Sequence, residues 1–311
     1  YTFFPLWLGY ILLVDGATVW RTGTSLVRRS PGRFTLLFVY SVPLWWLFEL
    51  ANHFLGNWRY LMPERYSTLA YTLTASLAFS TVIPALFVTA TFWRSWPWFD
   101  RPIRWIRIAP SRAGLAAIAA VGLAMFVGSL AAPRYLFPLV WIGLFLFLDP
   151  INALVGNRSL AAQVRQGRWG TVLVLFAAGL TCGFFWEMWN VWSMPKWVYV
   201  VPFVPPLRLF EMPLPGYGGY LPFALEVYAA YQLLAGPLGR RPGAHLTFDR
   251  LPDEEPPDVD HVAAGDAGKF RDRDPAAGGA RARSVRGLQS LFARRMLRRT
   301  DLHAPGDLRR R

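Results

Sequence analysis

A chain of 311 residues that is 54% hydrophobic, 16% aromatic and only 17% charged lies outside the composition of soluble globular domains. The formal net charge of +14 is unevenly spread along the chain, which ties it to a membrane face and removes the need for a nucleic-acid partner. With Cys182 as its single cysteine, the chain can form no intramolecular disulfide and no multi-cysteine metal site.

Runs of about 20 apolar residues, the length that crosses a bilayer core, fall at 3–20, 34–52, 69–93, 114–132, 135–155, 171–192 and 217–236. Backbone groups in lipid must be satisfied within the segment, and the runs lack the alternation of a barrel strand, so each is predicted to be a helix. The fold class is therefore an all-α polytopic membrane bundle of seven transmembrane helices. The first run has no basic flank or small-residue cleavage site, and is expected to be retained rather than removed as a signal peptide. Connections that share a side with the C-terminal tail hold 28 of the 33 basic residues. That asymmetry places the N-terminus outside, the C-terminus in the cytoplasm and the protein in the plasma membrane, with anionic lipid against its inner face.

Two stretches carry the same order of residue types. Residues 45–63 read WWLFELANHFLGNWRYLMP, and residues 184–202 read FFWEMWNVWSMPKWVYVVP. Glu49 and Asn52 match Glu187 and Asn190, Trp58 and Tyr60 match Trp197 and Tyr199, and Pro84 matches Pro222. Upstream, Asp15 matches Asp149, and Ser25 with Leu26 matches Ser159 with Leu160. Residues 1–93 and 134–239 are thus predicted to be two three-helix units, with a basic loop and a linker helix rich in small residues at 94–133 between them. An odd linker span gives both units the same orientation, a 3+1+3 arrangement of tandem parallel repeats. The remainder, 240–311, is predicted to be a largely disordered cytoplasmic tail with a basic amphipathic segment at 281–299.

Acids within membrane helices are costly and tend to face a bundle interior or a wet cavity, which singles out Asp15, Glu49, Asp149, Glu187 and Glu226. Glu226 occurs in one unit only, since the matching stretch after Pro84 reads ALFV; symmetric scaffolding does not account for it, and it heads the catalytic candidates, followed by Glu187 and Glu49. Asn52 and Asn190, three residues after their glutamates and on the same helical face, are candidate substrate-binding residues along with Trp186 and Trp189. The Glu–Asn pairs read equally as interhelical hydrogen-bond clamps. Asp149 with Pro150 reads as the start of a short interfacial helix, and Asp15 with Gly16 as a helix end. Trp197 and Tyr199 read as an interfacial belt, and the loop between Pro195 and Tyr220 as a lid or interfacial loop. Four scattered histidines offer no metal site, and no phosphate-binding glycine motif is present.

Two tandem three-span units, each with an acid near a helix end, a Trp-x-Tyr pair and a Pro-led last span, resemble the lycopene cyclase domain of the heterodimeric and fused type. The residues carrying this are Glu49 with Trp58 and Tyr60, Glu187 with Trp197 and Tyr199, and Pro222 with Glu226. Glu226 stands four residues after Pro222, where that family has Pro-x-Glu-Glu. The resemblance implies an enzyme of carotenoid or isoprenoid metabolism, acting on a hydrophobic substrate in the bilayer. One acid would protonate a double bond, aromatic faces would shield the cation, and a second carboxylate would take up a proton. The residues leave two other classes open: a solute or lipid transporter built from parallel repeats, and a non-enzymatic membrane assembly factor. Cofactor and oligomeric state have no signature in the sequence.

Overall fold

The computed structural model describes residues 3–61, 66–203 and 207–236, with Leu246, Phe248 and Asp249. The chain divides into two compact units, Tyr1–Asp253 and Glu254–Arg311, and every described residue belongs to the first. Of the described residues 74% are helical. The basic segment at 281–299 lies outside them.

Helix α1 (Phe3–Thr22) is followed by the short α2 (Leu26–Arg29) and the long α3 (Pro31–Leu55). Strand β1 (Trp58–Leu61) leads to α4 (Thr68–Phe79), α5 (Val82–Arg94), the short α6 (Pro97–Asp100) and α7 (Arg112–Ala131). The short α8 (Pro133–Leu136), then α9 (Leu139–Val155), α10 (Leu160–Arg165) and α11 (Gly170–Trp192), precede strands β2 (Lys196–Tyr199), β3 (Arg208–Leu209) and β4 (Met212–Pro213). A 3-10 turn over Leu214–Gly219 opens into the last helix, α12 (Tyr220–Ala235). The order α1–α2–α3–β1–α5 is matched by α9–α10–α11–β2–α12.

Among the described residues, five helical stretches are long and apolar enough to cross a membrane: α1, α3, α4 with α5 taken together, α7 and α11. The run expected at 135–155 is divided at Pro138, leaving α9 at 17 residues, and the run at 217–236 spends its first residues in the 3-10 turn, leaving α12 at 16. The run at 69–93 is broken between Phe79 and Val82. Pro84 cannot donate to the helix ladder, and the groups freed by the break find other partners. The Ile83 N–H donates to Ser41 Oγ of α3 at 2.8 Å, while Ser80 and Thr81 hydroxyls bond the carbonyls of Leu77 and Ala78. A break inside an apolar run is tolerated when its polar groups are satisfied in this way.

The core lies where α1, α3, α5, α11 and α12 meet, and α5 and α12 are buried along most of their length. Helix α7 packs on α9 at a glycine crossing: a Cβ on Gly122 would stand 2.5 Å from the Leu146 carbonyl carbon, so only a residue without a side chain fits. By contrast α4 has no buried residue, and apolar side chains such as Leu13, Leu69 and Leu73 point outward.

Asp15 and Asp149 serve the same local purpose. Asp15 accepts from the Ser25 hydroxyl at 2.7 Å and from the Val27 N–H at 3.3 Å; Asp149 accepts from the N–H groups of Leu160 and Ala161, each at 2.8 Å. They hold the N-termini of α2 and α10, whose orphan N–H groups need acceptors. Neither sits where its neighbour in sequence suggested: Asp149 and Pro150 lie within α9, and Asp15 lies within α1, about two turns before its end.

Candidate functional site: an aromatic chamber with two carboxyl groups

The site begins with the end of α3. Gly56, at φ 63°, turns the chain out of the helix in a left-handed conformation that suits glycine. The Asn52 side chain then binds the backbone of Trp58 on both sides, donating from Nδ2 to its carbonyl at 2.8 Å and accepting its N–H on Oδ1 at 3.2 Å. Asn190 at the end of α11 does the same to Trp197, at 2.8 and 2.9 Å. Each amide thus stands in for one rung of a strand ladder and fixes where its strand starts.

Side chains two apart on a strand share a face. Trp58 and Tyr60 therefore project together, as do Trp197 and Tyr199, and the two strands pair antiparallel with Trp58 opposite Tyr199 and Tyr60 opposite Trp197. Matching residues are exchanged across the ribbon about a centre at Arg59 and Val198, which is local two-fold pairing. All four aromatics lie on one face, and all four line a cavity of about 440 Å³.

The two glutamates sit behind this wall, one helical turn before their asparagines. Tyr60 donates its hydroxyl to Glu49 Oε1 at 2.6 Å, and the indole N–H groups of Trp45 and Trp58 donate to the same oxygen at 3.0 and 3.3 Å. Glu187 Oε1 accepts from the hydroxyls of Tyr199 and Tyr220, each at 2.7 Å, and Trp197 supports Tyr199 by donating to its oxygen at 2.9 Å. Donors therefore converge on one oxygen of each carboxyl. The second oxygen of Glu187 is buried with no hydrogen-bond partner among the described residues, and Glu49 is partly exposed. Outside the helices, burial and the neighbouring carboxyl groups push the hydroxyls of Tyr60 and Tyr199 well above the ordinary phenol range, so both remain proton carriers at neutral pH.

The rest of the wall is mostly apolar, with Asn57, Thr74 and Ser193 among its polar members. Trp141, Trp186, Phe79 and Phe223 form the floor side, α4 contributes Thr74, Ala75 and Ala78, and the loop before α12 contributes Met212, Pro213 and Pro215. No Lys, Arg or His is among the described lining residues. The loop's strands β3 and β4 pair with each other, and Lys196 of β2 is bonded to Glu211 at 2.5 Å, which ties the loop to the ribbon.

Of the residues singled out from sequence, Glu49, Glu187 and Trp186 come together around this cavity, and Trp197 and Tyr199 face it instead of forming a belt. Asn52 and Asn190 spend their amides on strand backbone. Trp189 packs on Trp7, Tyr10 and Phe185, outside the lining. Glu226 is fully buried one turn below Phe223, beside the backbone of Phe145, and neither carboxyl oxygen has a hydrogen-bond partner among the described residues. Tyr220 and Gly183 escaped the sequence reading. A Cβ on Gly183 would lie 2.6 Å from Cγ and Cε2 of Tyr220, so this glycine seats the ring whose hydroxyl reaches Glu187 four residues on. The spacing Gly179, Gly183, Glu187 was the available signal, a small-residue face ending in an acid. No group of three or more metal-binding side chains occurs among the described residues.

Fold and site together define a class: a helical membrane protein with an aromatic chamber and two carboxyl groups hydrogen-bonded to the tyrosines of its wall. No protein-family model, no curated protein and no solved structure matches the chain.

Proposed function

We propose that this protein binds an apolar, unsaturated lipid of isoprenoid type in the chamber and catalyses proton transfer on it. In this reading α9 and α12 complete seven spans, the N-terminus is outside, and two parallel three-helix units enclose the chamber near the outer face of the plasma membrane. The observation that carries it is the pairing of an apolar cavity with two carboxyl groups that reach it through phenol hydroxyls.

The chemistry balances without an oxidant or reductant. Tyr199 or Tyr220 gives its proton to one carbon of a double bond and is reprotonated by Glu187, leaving a cation on the neighbouring carbon. The faces of Trp58, Trp186 and Trp197, all lining the cavity, stabilise that charge. Loss of a proton from an adjacent carbon to the Glu49 cluster restores a double bond, so the product is an isomer of the substrate, cyclised where the cation is captured by a second double bond. The greater exposure of Glu49 suits it to return that proton to solvent, while the burial of Glu187 suits it to hold one in reserve.

The test is incubation of the purified protein with extracted membrane lipids in D2O, followed by mass spectrometry. One lipid should gain solvent deuterium on carbon, and Glu187→Gln should reduce the rate by about 10²-fold or more, the usual worth of a general acid. Absence of deuterium uptake with the wild-type protein, or uptake unchanged by Glu187→Gln and Glu49→Gln together, would overturn the proposal.

A further inference from the structure

A second buried polar site lies at the opposite, cytoplasmic end of α12. Tyr228 and Gln232, four residues apart and so on one face of the helix, point there with Gln163 of α10 and Arg158 from the link after α9. Four donors surround the carboxyl group of Asp249: the Tyr228 hydroxyl and Gln163 Nε2 at 2.6 Å each, Arg158 Nη1 at 3.3 Å and Gln232 Nε2 at 3.4 Å. Asp249 comes from beyond the last helix, in a region expected to be disordered tail, yet it is fully buried. Phe248 beside it is equally buried, against Phe87 at 5.1 Å and Tyr228 at 6.4 Å between ring centres, and Leu246 is 2% exposed.

The donor set is oriented by the bundle and not by its occupant. Thr171 at the start of α11 donates to Gln163 Oε1 at 2.6 Å, which fixes the amide so that its N–H groups face Asp249. Tyr228 and Gln232 are fixed by α12. One guanidinium, two amides and a phenol, with all the contacting atoms donors, match an ionised carboxylate; a neutral or cationic side chain would leave them unpaired. Arg158 Nη1 also donates to the Asp249 carbonyl at 3.3 Å, so backbone as well as side chain of the occupant is read.

We infer that the inner end of the bundle is a receptor for an apolar-aromatic-carboxylate peptide segment, filled in this structure by the chain's own Leu246, Phe248 and Asp249, which act as a releasable latch. The latch grips the helix that presents Tyr220 to Glu187, two turns of about 5.4 Å above Tyr228. This inference does not depend on the chemistry proposed for the chamber.

The test is amide hydrogen exchange of the full chain in inside-out membrane vesicles, read by peptide mass spectrometry at α10 and, as a control, along α11 around the buried native Cys182. With Asp249 intact, α10 should exchange slowly. Asp249→Ala, and independently Gln163→Ala, should raise its rate tenfold or more while α11 stays protected, and a soluble peptide Leu-Thr-Phe-Asp at millimolar concentration should restore protection to the Asp249→Ala protein. A rate unchanged by either substitution overturns the inference. So does joint exposure of α10 and α11, which would make Asp249 a requirement of the fold, and so does protection by the peptide with Asn in place of Asp.

Discussion

Substituting Gly183 by Ala tests whether the Glu187 cluster is held by the packing described above. The added methyl would sit 2.6 Å from two carbons of the Tyr220 ring, where carbon atoms prefer 3.5 Å or more, so the ring must retreat by about 1 Å. Its movement along α11 is blocked by Gly179, where the Tyr220 carbonyl is already in close approach, so the ring moves away from α11 and its 2.7 Å bond to Glu187 passes the 3.5 Å limit of a hydrogen bond. Overpacking costs about 1–3 kcal/mol, and loss of an interhelical hydrogen bond in a membrane protein about 0.6 kcal/mol, with a maximum near 1.7. Gly183→Ala should therefore destabilise by roughly 2–4 kcal/mol, Tyr220→Phe by only about 1. The double variant should cost less than the sum, since the bond can be lost only once. Unfolding of the detergent-solubilised protein, followed by helical circular dichroism, measures all three. A cost for Gly183→Ala below about 0.5 kcal/mol, or strict additivity, would refute the geometry on which the site rests.

Three further substitutions or conditions probe other parts of the same framework. Asn190→Ala strips the Trp197 backbone of both partners and should cost about 1–3 kcal/mol, with Asn52→Ala doing the same to Trp58; an effect under about 0.5 kcal/mol in the same unfolding assay would show that the ribbon positions itself. Glu226→Leu replaces a buried, unpartnered carboxyl by an apolar side chain and should stabilise the protein by about 1–3 kcal/mol, whereas destabilisation would mean that the carboxyl has a partner it needs. In alkali the sign is set by Tyr60 and Tyr199, whose phenol protons are held above the ordinary value of about 10. The unfolded chain sheds protons that the folded chain keeps, so stability should fall as pH rises past about 10, and Tyr199→Phe should flatten that fall; an unaltered slope would place Tyr199 in contact with solvent.

What the sequence made legible was local. Apolar runs of bilayer length announced helices, and the recurrence of Glu, Asn, Trp and Tyr at fixed spacing marked the residues that surround the chamber, because helix end, amide clamp and strand start are all set within 12 residues. The pairing of β1 with β2 was not legible: Trp58 and Tyr199 are brought together only by the packing of α3 and α11, and two four-residue strands next to apolar helices give no period strong enough to separate from helix. Asp15 and Asp149 were misread for a related reason. Their partners lie 10 to 12 residues ahead, across a turn, while the eye is drawn to the adjacent Gly16 and Pro150. Asp249 was hidden by composition, since a run rich in Pro, Gly and charge looks disordered even where three of its residues are buried.

The two halves of the site reach the same arrangement by exchanging a large and a small side chain. Aligned on their glutamates, Trp45 in α3 corresponds to Gly183 in α11, and Val82 in α5 corresponds to Tyr220 in α12. In the first half the helix that bears the acid supplies its own donor, Trp45, one turn back, and α5 needs only a small residue opposite. In the second half that position is emptied to glycine, and the donor comes across from α12 as Tyr220. What both preserve is a donor one turn before the glutamate, aimed at the same oxygen as the strand tyrosine. That convergence leaves the opposite oxygen of each carboxyl group outside the donor cluster.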